Sequence, residues 1–180
     1  MKRSDQENYL LFRMQGGSFP SQEPPAHIDG LQFRVWRPSA LQLRPPAQGA
    51  HFAAWWGLHQ ARVFKSRQYS VLLARELECK RVIHRTCVMP AWFRWPFMHT
   101  NDIQISDTWT HPDYRGRGIA SFAAGMVVRQ ADGTQTVWYA TQESNASSLS
   151  VCRTLGMQPV GTAVRTDRFG FRILGSLVAQ

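Results

Sequence analysis

The sequence predicts an α/β (α+β) protein built on one mixed sheet with helices on both faces. Three observations carry that expectation. Segments of strand and helix period follow one another from Leu31 to the end of the chain in the order β-α-β-β-β-α-β-α-β-β. Some consecutive strands are joined by short turns and others by helical crossovers, and the first link makes antiparallel neighbours while the second returns a parallel one. The composition, 43% hydrophobic and 18% charged over 180 residues, is that of a globular chain. A chain this long buries about 70% of its unfolded surface and needs no disulfide or metal to hold a core. One domain is the default at this size.

The elements read in order as follows. Residues 14–30 hold Gly16, Gly17, Pro20, Pro24, Pro25 and Gly30, so residues 1–30 are expected as an irregular N-terminal arm and residues 31–180 as a single domain. In LQFRVWR, Leu31, Phe33 and Val35 share one face of a strand that Pro38 closes. Residues 50–64 lack alternation and space Phe52, Trp55, Trp56, His59 and Val63 at helical intervals. YSVLLAR and the stretch near 79–89 form two strands around a turn at Glu76 to Glu78. DIQISDTWT alternates Ile103, Ile105, Asp107 and Trp109 against polar neighbours. A helix over 118–131 places Ile119, Phe122, Ala123, Met126 and Val127 on one stripe. TQTVWYA is a strand, Asn145 to Leu155 a helix that Gly156 ends, and strands near 158–165 and 169–178 finish the chain.

The 21 Lys and Arg against 12 Asp and Glu give a net charge of +9, and only Lys2, Lys65 and Lys80 are lysines. Arginine is the better partner for planar anions, but charge alone does not choose among nucleic acid, anionic membrane and a phosphorylated ligand. The arginines are scattered and match no nucleic-acid module, so no nucleic-acid partner is expected. Cys79, Cys87 and Cys152 are an odd set with no C-x-x-C pair, which argues against a disulfide framework or a zinc site; reduced thiols and no metal are expected. The N-terminal apolar stretch, Tyr9 to Phe12, is too short for a signal peptide, and the run Ile119 to Val128 is about half a membrane span. No membrane association and a cytoplasmic location are expected.

The chemistry concentrates between Asp107 and Ala120. A strand ends at Thr110, His111-Pro112 turns the chain, and Arg115-Gly116-Arg117-Gly118 opens the amphipathic helix. Two glycines let backbone N–H groups converge on an anion, the helix N-terminus adds positive potential, and two arginines add formal charge. The spacing is neither that of a Walker loop nor G-x-G-x-x-G.

Arg115-x-x-Gly118-x-Ala120 resembles the R/Q-x-x-G-x-G/A signature of the GNAT superfamily of N-acetyltransferases, and Thr110 to Tyr114 resembles its lead-in. Asn145 followed by Leu155-Gly156-Met157 resembles that family's second acyl-CoA motif, and the element order from Leu31 to Val178 agrees with the family's order. The resemblance implies a mostly antiparallel central sheet splayed at the cofactor strand. It implies acetyl-CoA as co-substrate and direct attack on it by a primary amine. The backbone of Thr108, Trp109 and Thr110 would hold pantetheine as an added strand would. The amides of Arg115, Gly116, Arg117, Gly118, Ile119 and Ala120 would hold the pyrophosphate, and Asn145 would reach the pantetheine or acetyl end.

A base must remove a proton from an amine that is mostly ammonium at neutral pH. The resemblance points to Asp102, early in the cofactor strand. Asp107, on a face otherwise taken by Ile103, Ile105 and Trp109, is a second candidate; each carboxylate could instead satisfy backbone or arginine groups. Many GNAT enzymes place a thiolate-protonating tyrosine seven residues after the helix asparagine, and here that position is Cys152. A thiol acid, a buried apolar thiol, replacement by Tyr139 or Tyr114, or departure of the CoA thiolate without help are the alternatives.

On the acceptor side, Pro90 to Met98 puts four aromatics around an arginine. Trp92, Arg94 and Trp95 could stack on a flat ring and pair with an anion, as an amino sugar or nucleotide-linked amino sugar would require, or pack the core. His84 is either an acceptor-site group or a hydrogen-bonded structural histidine. The helix carrying Trp55, Trp56 and His59 would wall the acceptor site. A small-molecule amine acceptor is the leading expectation, with a homodimer expected by analogy. A protein or peptide amine acetyltransferase and a non-catalytic acyl-CoA sensor are the alternatives.

Overall fold

A computed structural model describes residues 8–18, 27–46, 49–166 and 175–180. The chain runs β1 (Asn8–Gln15), β2 (Leu31–Trp36), α1 (His51–Gln60), β3 (Ser70–Glu76), β4 (Val82–Pro90), β5 (Ile103–Thr110), a 3-10 turn (Pro112–Tyr114), α2 (Ile119–Gln130), β6 (Thr136–Gln142), α3 (Ala146–Leu155), β7 (Gln158–Arg165) and β8 (Leu177–Ala179). All eight strands join one sheet in the order β2-β3-β4-β5-β6-β1-β7-β8. Every pairing is antiparallel except β5 with β6. The mixed sheet expected from the hairpins and crossovers, and the mostly antiparallel pairing that the family resemblance implies, are both observed.

The irregular arm expected over residues 1–30 is overturned at Asn8–Gln15. This segment is an inner strand, between β6 and β7. Tyr9 and Leu11 pack into the core on one face of the sheet while Phe12 and Met14 pack on the other. The apolar residues Tyr9 to Phe12 follow one another onto alternate faces, so the segment shows no period-two pattern. Residues 1–7 and 19–26, the rest of the expected arm, and residues 167–174 of the expected last strand lie outside the described residues.

Two layers cover the sheet. On one face α2 and α3 close over Ile103, Ile105, Val137 and Tyr139, burying Ala123, Val127, Val128, Val151 and Leu155. On the other, α1 lays Phe52 on Tyr69, Val71, Leu73 and Cys87, and the segment after β4 adds Trp92, Trp95 and Met98. α3 starts and stops on local signals. Asn145 accepts a hydrogen bond from the Ser148 amide at 3.1 Å as N-cap, and Gly156 ends the helix at φ 69°.

Candidate active site

The sheet opens at its centre. β5 and β6 are paired only where Ile103, Gln104 and Ile105 face Val137, Trp138 and Tyr139. Beyond Ile105, β5 continues against β4 alone, which leaves the edge of Ser106 to Thr110 that faces β6 without a ladder partner. The divergence coincides with a bulge. The register shifts between Arg85 and Cys87 of β4, and Asp107 takes φ 41°, in the left-handed region that L-residues seldom occupy.

On the α2 and α3 side, the opening becomes a cleft of about 920 Å³. All ten residues expected to hold the cofactor line it: Thr108 to Thr110, Arg115 to Ala120, and Asn145. At its mouth Gly116 and Gly118 sit at φ 76° and 73°. A Cβ at either would meet nothing within 4 Å, so backbone conformation rather than space demands glycine there. Gly118 is the N-cap of α2 and offers no side-chain cap, which leaves the first-turn N–H groups for a ligand. The Arg115 Nε donates to the Thr110 carbonyl at 3.2 Å, and Arg117 donates to the Asp113 carbonyl at 3.1 Å while lying over the Tyr114 ring. Both guanidiniums are thereby held beside those amides. This donor set, all cationic or N–H, fits a polyphosphate.

Deeper in the cleft Tyr139 sits at the vertex of the splay, with its hydroxyl 3.4 Å from Ser148 Oγ. Burial raises its pKa, so the phenol stays protonated. Tyr114 is engaged elsewhere, because its hydroxyl bonds to Glu76 and Arg81.

The opposite side of the splay is built differently. The bulge turns Asp107 away from Ile103 and Ile105 and toward α1, correcting the shared face expected from alternation. Its carboxylate accepts two hydrogen bonds from Arg85, Nε to Oδ2 at 3.1 Å and Nη2 to Oδ1 at 3.0 Å. His51, at the start of α1, brings Nε2 to 3.5 Å from Asp107 Oδ2. Arg85 in turn lies between the Phe52 and Trp109 rings, 5.6 and 5.5 Å from their centroids. Neither His51 nor Arg85 is marked by any local motif, and only sheet register and helix placement bring them to Asp107.

Several expected site residues are placed elsewhere. Asp102 is buried at the far end of β5 from the cleft, and its carboxylate accepts from the His99 amide at 2.9 Å, the Thr136 amide at 3.1 Å and Trp138 Nε1 at 2.9 Å. With those donors it ties β5 to β6 and the preceding turn, and is not placed as a base. Cys152 is fully buried between α3 and the sheet, off the cleft lining, and burial pushes its thiol up to about 12. It is a core side chain and a poor proton donor. His84 is fully buried, with Thr110 Oγ1 and Thr86 Oγ1 each 2.8 Å from a ring nitrogen. Burial lowers its pKa to about 4, so it is a neutral structural group behind β5. Trp92 and Trp95 pack edge-to-face in the α1-side core, with ring centroids 5.5 Å apart. Arg94 lies over Trp92 and donates to the Gly175 carbonyl at 2.9 Å, so the segment anchors the C-terminal residues rather than forming a stacking platform. Trp55 packs against that same core from α1, and His59 is buried beside Phe64 and Tyr69.

Among the described residues no helix is long and apolar enough to cross a membrane, and no cluster of three metal-ligating side chains occurs. The sequence profile of the acetyltransferase (GNAT) family matches residues 86–157, which span β4 to the end of α3. The fold is similar to that of a GCN5-related N-acetyltransferase from Sphaerobacter thermophilus, with a TM-score of 0.58 and 19% identity over 88% of this chain and 50% of that one. It is also similar to a tandem GNAT protein from the clavulanic acid biosynthesis pathway, with a TM-score of 0.60 and 14% identity over 90% of this chain and 53% of that one. A Drosophila protein matches with a TM-score of 0.59 and 13% identity, over 88% of this chain and 49% of that one. The chain thus spans about half the length of these structures. No curated protein matches it in sequence.

Proposed function

From a chain whose residues 86–157 match the sequence profile of the acetyltransferase (GNAT) family, we propose an enzyme that moves an acetyl group from acetyl-CoA to a primary amine on a small molecule. The observation that carries the reading is the unpaired edge of β5 leading into a cleft that ends on the open N-terminus of α2. An extended pantetheine arm would add to that edge as a strand does, and its pyrophosphate would meet the amides from Arg115 to Ala120. Asn145 caps α3 with Oδ1 and keeps its amide nitrogen for the pantetheine. Acetyl-CoA supplies an activated thioester; everything else is the work of the protein's own groups. The β5 backbone at the bulge would hold the carbonyl in a fixed N–H field, a contact worth about 3–4 kcal/mol where single donors of this kind have been removed. Tyr139, protonated and at the vertex, would offer its hydroxyl to a leaving sulphur. On the acceptor side the Asp107 carboxylate is held in an ion pair with Arg85.

The acceptor would enter from the α1 side, past Trp109 and Asp107. With the aromatic segment 92–95 placed in the core, the support for a nucleotide-linked amino sugar weakens.

The test is the melting temperature of the purified protein with acetyl-CoA, CoA and ATP, followed by a screen of amines with thiol detection. A ligand at 100 times its Kd stabilises by about 2.7 kcal/mol, several degrees for a domain of this size. A shift with both CoA species and not with ATP, then thiol release with a small amine, is the expected result. A shift without turnover on any amine would favour an acyl-CoA sensor. Absence of any shift would overturn the reading.

A further inference from the structure

We propose that His51 takes the proton from the acceptor amine and that Asp107 and Arg85 are the positioning pair that holds its ring; this rests on the acetyl-transfer reading above. Asp107 is poorly suited to the task itself. Both of its oxygens accept from Arg85, at 3.1 and 3.0 Å, in a bidentate pair with a cation that does not deprotonate. His51 has the complementary properties. Its side chain is 51% exposed against 27% for Asp107, so it faces an incoming acceptor. The Phe52 and Trp55 rings flank it, with centroids 4.4 and 5.3 Å away.

The orientation of the ring decides which nitrogen works. With Nε2 3.5 Å from Asp107 Oδ2, the carboxylate favours the tautomer that carries its hydrogen on Nε2, and the lone pair is left on Nδ1. Gly49 keeps that nitrogen open, since a Cβ at this position would lie 2.9 Å from Nδ1. The location suits the chemistry as well. Asp107 is the bulged residue of β5, and the next residue, Thr108, lines the cleft on the other side of the strand. The imidazole therefore stands across the strand from the place where the thioester would lie. The neighbouring titratable groups are Arg85 and Cys87 of β4, Asp107 of β5 and Tyr69 before β3; burial holds Cys87 and Tyr69 in their neutral forms.

In the step itself, an ammonium acceptor gives one proton to Nδ1 and becomes a neutral amine. Its lone pair then forms the C–N bond, and the C–S bond breaks with its electron pair going to sulphur. The surplus amine proton leaves as the amide forms, sulphur gains one proton to become the thiol, and the imidazolium returns its proton to solvent. Amine and thioester become amide and thiol, with no other reactant.

The experiment compares the wild-type chain with His51→Gln and His51→Ala, using an acceptor found in the amine screen. Base catalysis of this kind contributes roughly 100-fold or more. Both variants are expected to lose about that much kcat, to bind acetyl-CoA as the wild type does, and to lose the acid limb of the kcat/KM profile that a neutral imidazole imposes. A glutamine variant that keeps kcat and the acid limb overturns the proposal, because glutamine keeps a neutral N–H donor and cannot take the proton. Nitrogen NMR of the His51 ring gives a readout that needs no acceptor. Hydrogen on Nε2 in the wild type, with that preference lost in Asp107→Asn, supports the dyad; hydrogen on Nδ1 overturns it. Failure of the wild type to bind acetyl-CoA would overturn the acetyl-transfer reading and this assignment with it. Bound acetyl-CoA together with an Nδ1–H ring would overturn this assignment alone.

Discussion

On the α2 and α3 side of the splay, the cleft is assembled from contiguous stretches of chain, Thr108 to Thr110 and Arg115 to Ala120, and its ligand groups are largely backbone N–H. On the α1 side, His51, Arg85 and Asp107 come from three elements and act through side chains gathered around the Asp107–Arg85 ion pair. The difference teaches where each face is vulnerable. A cradle of amides loses affinity by degrees when one side chain changes, whereas a linked cluster fails when any member goes. Substitutions on the first face should move acetyl-CoA affinity, and those on the second should move turnover.

The largest effect is expected on the acceptor face. Asp107→Asn leaves the shape nearly unchanged but removes the charge that orients His51, and should lower kcat roughly 100-fold while acetyl-CoA affinity stays within twofold. Stopped-flow or steady-state thiol release checks it. Next is a change at the other end of the same strand that should separate folding from chemistry. Asp102→Ala strands the His99 and Thr136 amides and the Trp138 indole N–H, and should cost about 3 kcal/mol of stability in urea melts. Its kcat per folded molecule should match the wild type, which would fail to hold if Asp102 were the base.

His84 sharpens the comparison through pH. Its folded pKa of about 4 lies below the ordinary histidine value of 6.5, so between those values the unfolded chain binds the extra proton. Stability is therefore greatest above pH 6.5 and falls as pH drops toward 4. Between pH 7 and pH 5 the loss should be about 2 kcal/mol, and His84→Asn should flatten that slope. The smallest effect belongs to the cofactor face. Arg117→Glu, an exposed position, should weaken acetyl-CoA binding about tenfold, or about 1.4 kcal/mol, and leave the melting temperature of the free protein unchanged.

The same contrast explains what could be read from the residues alone. Motifs that lie within one turn of chain, Arg115 to Ala120 and Asn145 before its helix, carry their geometry in their spacing, and every one of these residues lines the cleft. Strand and helix periods gave the order of elements from β2 onward: β2 and β5 alternate, α2 and α3 carry an apolar stripe, and β3 is a longer apolar run ended by turn residues. β1 escaped since its unbroken apolar run, Tyr9 to Phe12, is only four residues long and is edged by polar ones. Asp107 was assigned to the face of Ile105 because strict alternation was carried through a bulge, and one extra residue reverses every side chain beyond it. His51 and Arg85 had no local signal, since their partnership with Asp107 exists only once β4 pairs with β5 and α1 packs across them. The segment around Trp92 shows the converse: aromatics beside an arginine suggest a binding platform, yet here they fill the core under α1.

The central claim is that cofactor binding and acceptor activation occupy opposite sides of one splayed strand. Isothermal titration of acetyl-CoA into the wild type, Arg117→Glu and Asp107→Asn tests it most directly. The account predicts binding by the wild type, about tenfold weaker binding by Arg117→Glu, and wild-type affinity in Asp107→Asn. Equal weakening in both variants, or no binding by the wild type, would contradict it.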